Sequence, residues 1–150
     1  MPASSRKSSR KKSASAAVLV VSGSAKYRPY ERDIRRALTA GLRMLRLRGS
    51  LEVYLVDDRT MRHLNRRYRG KDKPANVLSF PWPRQFIAFN AGSRPMGEIY
   101  LGPDHIRRHK EDIAFMAVHG LLHLAGYDHE RAGDRARMER KERAIMRSVS

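Results

Sequence analysis

The stretch that decides how this chain folds is EDIAFMAVHGLLHLAGYDH, residues 111–129. Ile113, Phe115, Met116, Val118, Leu121, Leu122 and Leu124 place apolar side chains around most of a helix predicted over 111–125, and such a helix is largely buried. It needs packing layers around it, so the rest of the chain must supply a sheet and further helices. Set into this run are His119 and His123, which at i, i+4 lie one above the other and can aim two imidazoles at one point. Gly126 then accepts a left-handed backbone conformation without Cβ strain; it can end the helix and bring His129 back toward the same point. Three neutral nitrogen ligands in a chain without cysteine suit zinc best, with nickel, copper and iron left open by ligand type alone. Structural zinc is usually closed by four protein ligands, whereas three leave a position for water or substrate, so the triple points to chemistry.

Outward from this segment, short β-rich runs alternate with amphipathic ones. Strands are predicted at 16–22 (AAVLVVS), 51–56 (LEVYLV), 76–80 (NVLSF) and 96–101 (MGEIYL). Helices are predicted over 30–48, with Ile34, Ala37, Leu38, Gly41, Leu42 and Leu45 inward, and over 59–67, capped by Asp58 and turning Met61 and Leu64 inward. A short helix starts at Pro103, and a last helix over 134–147 carries Met138, Ile145 and Met146. Residues 84–95 read as a loop. The expected fold is α+β, a two-layer arrangement in which a small mixed four-stranded sheet packs against about five helices, with the metal site at the end of a core helix. Tyr54, Phe80, Trp82, Phe86 and Phe89 lie on or beside strands, where core packing is the expectation over stacking on bases.

At 150 residues the chain has the size of one domain, and no apolar run approaches the length of a bilayer span, so no membrane partner is expected. Its net charge is +17, and 24 of its 32 cations are arginine, whose planar fork matches phosphate geometry. A polyanion, nucleic acid first, is the expected partner. Residues 1–15 hold five basic residues, no acidic one and no hydrophobic periodicity, and are expected to be a disordered basic tail ahead of a single domain over 16–150. The lack of cysteine fits the reducing cytoplasm, with an organellar transit peptide as the minor alternative reading of the tail.

The segment HGLLHLAGYDH, together with LNRRYRGKDKPANVLSF (64–80), resembles the YbeY family, bacterial and organellar metal-dependent endoribonucleases of ribosomal RNA maturation. GEIYL and the tail helix with Met138, Glu139, Glu142 and Ile145 extend the resemblance over about residues 50–148. It implies that His119, His123 and His129 hold one zinc ion, that Arg69 is the functional arginine beside the metal, and that a cleft lies between the histidine helix and the sheet. It also implies a single-strand-specific endoribonuclease of late 16S rRNA 3′-end maturation and ribosome quality control. Ribosomal RNA, the small ribosomal subunit, and ribosomal proteins or an assembly GTPase are the partners it implies. The chain departs from the family pattern at Ala75, where threonine is usual, at Glu98, where aspartate is usual, and in a shorter segment between Gly97 and His119.

Zinc would lower the pKa of bound water toward about 7 or polarise a phosphoryl oxygen, and Arg69 would hold a phosphate. The spacing also matches zinc proteases that carry a glutamate base directly after the first histidine, but that position here is Gly120. A protease is therefore the remote alternative, and a non-catalytic, zinc-stabilised RNA-binding assembly factor the nearer one. Asp128 and Glu98 are the candidates for a base or for a partner that orients a ligand.

Overall fold

The computed structural model describes residues 17–82 and 95–150. The basic tail and most of the 84–95 loop, with Phe86 and Phe89, lie outside the described residues. Strand β1 is Ala17–Ser22, a 3-10 helix spans Ala25–Tyr30, and α1 is Glu31–Met44. Then follow β2 (Ser50–Leu55), α2 (Asp58–Arg69), β3 (Val77–Pro81), β4 (Pro95–Leu101), α3 (Pro103–Arg108), α4 (Ile113–Leu124) and α5 (Ala132–Val149). Among the described residues no helix is long and apolar enough to cross a membrane.

The sheet order is β1-β2-β4-β3, with β1, β2 and β4 parallel and β3 antiparallel to β4. The mixed sheet and five helices make an α+β fold. Because side chains alternate along a strand, Val20, Leu51, Val53, Leu55, Ile99 and Leu101 share one face and are buried. They meet Ile34, Leu38 and Leu42 of α1 and Met116, Ala117 and Leu121 of α4 in one cluster. Ala37, Ala114, Val118, Leu122, Met138 and Ile145 form a second cluster where α5 joins α1 and α4. Helix α4 thus runs between sheet and helices, which is why it is apolar on nearly every side.

Several local expectations are corrected. The first long helix stops at Met44, not Arg48: Arg46 takes φ 56°, with Arg46 N bonded to Arg43 O and Leu47 N to Leu42 O. A left-handed end of this kind usually carries glycine, so an arginine there gives no stop signal, and Leu45 and Leu47 continue the apolar pattern. Helix α2 is capped by Asp57, whose carboxylate accepts from Thr60 N at 2.9 Å, while Asp58 pairs with Arg108 at 2.7 Å. It also runs on to Arg69, where Gly70 at φ 70° ends it. Leu64 is only half-buried, whereas Asn65 is 3% exposed and donates to the Lys73 carbonyl at 2.8 Å, tying down the turn after α2. The 3-10 helix has no apolar period to betray it; it buries Tyr27, whose hydroxyl donates to Asp104 at 2.8 Å.

Two of the strand aromatics expected in the core, Tyr54 and Phe80, are not there. Tyr54 and Phe80 are half-buried on the opposite face of the sheet, in an edge-to-face row with Tyr100 at centroid spacings of 5.0 and 5.7 Å, and Tyr68 of α2 closes the row 5.2 Å from Phe80.

Candidate metal centre

The three histidines are assembled by one local device. Tyr127 N bonds to Leu122 O and Gly126 N to His123 O, the paired closure that ends a helix through a left-handed residue, and Gly126 supplies it at φ 97°. The chain reverses there and returns His129 to the end of α4. One ligand atom from each of His119, His123 and His129 then lies within 4.8 Å of the others. His119 and His123 are half-buried and His129 is exposed, so the cluster sits at the surface end of a core helix.

Glu142, only 5% exposed, reaches from α5 to place Oε2 at 2.6 Å from His119 Nδ1. A carboxylate accepts, so Nδ1 carries the proton and the lone pair of Nε2 is left to point into the cluster, where His123 Nε2 stands 3.1 Å away. Burial first, then the neighbouring His119 and His129 and the positive charge of Arg69, push the His123 pKa below its ordinary value. A neutral imidazole is the form that binds a metal. Three converging imidazole nitrogens, one fixed in tautomer by a carboxylate, fit a divalent transition metal.

The remaining candidates fall in different places. Arg69 is the exposed last residue of α2, close enough for its charge to act on His123. Asp128 is exposed; its Oδ1 accepts from Glu130 N at 3.4 Å, and among the described residues it makes no hydrogen bond to His129. Glu98 lies on the open face of β4, accepting from the Tyr100 hydroxyl at 3.0 Å, whereas α4 packs on the other face of that strand, at Ile99. The carboxylate that touches a histidine of the cluster is therefore Glu142. Its sequence signals are its part in the family resemblance of the tail helix and its place on the apolar side of that helix, four residues after Met138 and three before Ile145.

Gly120 explains why no carboxylate follows His119. A Cβ on it would lie 2.9 Å from Ser79 Oγ, 3.0 Å from Val77 Cγ2 and 3.1 Å from Ile99 Cγ2. The Ser79 hydroxyl donates to its carbonyl at 2.9 Å. Helix and sheet are in contact there, with no room for a glutamate. The cleft expected between them is closed at this point, and a cavity of about 170 Å³ opens instead between His129 and α5, beside Met138 and Glu142.

The profile of the family described as endoribonuclease YbeY matches residues 22–150. The chain belongs to the YbeY family. An endoribonuclease YbeY of Chelativorans sp. (strain BNC1) is 40% identical over 127 residues, covering 78% of this chain and 77% of that protein. The endoribonuclease YbeY of Rhodopseudomonas palustris (strain ATCC BAA-98 / CGA009) is 42% identical over 106 residues, and there the match spans only 56% of the relative's length. The solution structure of TM1509 from Thermotoga maritima shares the fold, with a TM-score of 0.55, 26% identity and 85% of each chain covered. The match to the YbeY profile begins at residue 22, well before the motifs that carry the resemblance in the sequence.

Proposed function

We propose that this protein cleaves single-stranded RNA endonucleolytically with the help of one zinc ion held by His119, His123 and His129, and that it acts in late 16S rRNA 3′-end maturation and ribosome quality control. The observation that carries the reading is the convergence of three histidine nitrogens within 4.8 Å, with the charge of Arg69 beside them. Membership in a family described as endoribonuclease supports the reaction class.

When bound, the metal supplies a Lewis acid for a phosphoryl oxygen and a water acidified toward a pKa of about 7. The chain's own residues do the rest. Glu142 holds the His119 ring in the productive tautomer. Arg69 grips a phosphate through its planar fork and offsets the negative charge that grows as the phosphorus is attacked. Glu142 is committed to His119, and Gly120 leaves no base on the helix, so a proton acceptor of the protease type is missing. The basic surface selects a polyanion over a peptide. Ribosomal RNA within the small subunit is the proposed substrate, ribosomal proteins or an assembly GTPase are the proposed docking partners, and the cytoplasm is the proposed location.

The test is cleavage of single-stranded RNA by the purified protein, its loss on chelation and its return with zinc, together with mapping of 16S rRNA 3′ ends in cells lacking the protein. A folded His119→Ala protein that bound RNA and still matured ribosomal RNA at the parent's level would overturn the enzyme reading in favour of an RNA-binding assembly factor.

A further inference from the structure

The 3.6-residue period gives α1 two unlike faces. Ile34, Ala37, Leu38, Gly41 and Leu42 are buried. Arg32, Arg35, Arg36 and Arg43 share the opposite face with Ala40 and Met44 and line a groove of about 620 Å³ against the end of α5. Arg36 donates to the Val149 carbonyl at 3.4 Å, which sets the wall of the groove. Along the floor Met44 is 39% exposed, an apolar surface for a sugar or base.

The cations of this face are largely uncommitted. Among the described residues Arg32 and Arg43 have no ion-pair partner, and Arg35 meets Glu31 only at 3.9 Å. Glu31 is itself engaged by the Ser22 hydroxyl at 2.6 Å. Asp33, the other acidic residue of α1, forms no ion pair among the described residues. From Arg32 to Arg43 the helix rises about 16 Å at about 1.5 Å per residue, enough to meet more than one phosphate of an extended strand. Arginine suits this because its fork pairs with phosphate oxygens bidentately. The groove is also separate from the metal centre: at Gly41, on the buried side of α1, a Cβ would come 2.8 Å from Leu121 of α4, so the arginines face away from the histidine helix.

We propose that this groove between α1 and the end of α5 is a second RNA site, which grips the phosphate backbone of single-stranded RNA away from the cleaved bond. The assignment rests on the ribonuclease reading above and adds where a long substrate is held.

The experiment measures binding of a fluorescent single-stranded RNA to the full chain across a range of salt. Each phosphate contact on a single strand contributes about 0.7 to the slope of log affinity against log salt. The Arg32→Gln, Arg36→Gln, Arg43→Gln protein should lose about 2 from that slope, since three contacts go. A charge-matched set outside the groove, Arg107→Gln, Lys110→Gln and Arg140→Gln, should lose well under half as much. Equal losses in the two sets would mean diffuse attraction and would overturn the site. So would a groove variant that kept its RNA affinity while losing affinity for poly-glutamate, which would give the groove to an acidic protein. If the glutamine set fails to fold, judged by melting and metal content, lysines at the same three positions keep the charge; at least threefold weaker binding then supports the fork contacts, and unchanged binding removes them. A parent protein that bound no RNA would bring down the ribonuclease reading itself, a result distinct from equal losses in a parent that binds and cuts.

Discussion

Replacing Glu142 by glutamine tests the tuning of the metal centre from α5. The side chain keeps its shape, and its amide oxygen can still accept from His119 Nδ1, but the charge behind a 2.6 Å hydrogen bond is gone. Hydrogen bonds to charged groups are worth about 1.5–3 kcal/mol and neutral ones about 0.5–1.5 kcal/mol, so the change removes about 1–1.5 kcal/mol from the held, metal-ready ring. At about 1.4 kcal/mol per tenfold, metal affinity falls about tenfold. Glu142→Leu removes the acceptor altogether and lets the ring turn, which takes the loss toward about a hundredfold, the upper end for partners behind metal ligands. The same leucine removes one partner of a buried pair and leaves the His119 Nδ1–H without its acceptor, so the metal-free protein should stay folded but melt somewhat below the parent. Competition of each purified variant against a chelator of known zinc affinity gives the constants, and thermal melting of the metal-free proteins confirms folding. Two folded variants that bound zinc as tightly as the parent would refute the role given to Glu142.

Arg69→Lys keeps the positive charge and loses the fork, so cleavage should drop by about a hundredfold or more with metal content unchanged; equal cleavage rates would make Arg69 a bystander. Gly120→Ala should lower stability by about 1–2 kcal/mol in urea denaturation, since overpacking costs about 1–3 kcal/mol and alanine regains up to about 1 kcal/mol of helix propensity; a gain in stability would show that Ser79, Val77 and Ile99 yield easily. Asp57→Ala should cost about 1 kcal/mol at neutral pH through the lost cap. The backbone hydrogen bond from Thr60 holds the Asp57 carboxyl below its ordinary value, so the unfolded chain takes the proton more readily. That contribution is therefore complete above about pH 4 and fades as pH falls through the lowered value. Parent and variant should converge in stability in acid, and a constant gap down to pH 2 would contradict the cap.

The buried helix and its histidines were legible because everything that makes them is local: an apolar run, a four-residue spacing and a glycine that reverses the chain. The strands were legible as short β-branched runs for the same reason. What escaped depends on contacts between distant segments or on choices among like neighbours. Glu142 is separated from His119 by 23 residues and meets it only because α5 packs back on α4. Asp57 and Asp58 are chemically equal in sequence; backbone direction gives the cap to one and Arg108 to the other. Tyr54 and Phe80 fit a strand equally well on either face, and register alone turns them away from the face packed by α1 and α4.

The contact at Gly120 has a meaning for ancestry. A helix that bears two metal-binding histidines invites the thought that one codon separates a nuclease from a protease. In this fold that step is barred by neighbours rather than by chemistry: a glutamate at position 120 would strike Ser79, Val77 and Ile99 before it met any substrate. A descendant could acquire that base only after the sheet had retreated from the helix, and loosening the sheet would cost the chain its core before the new activity could be selected.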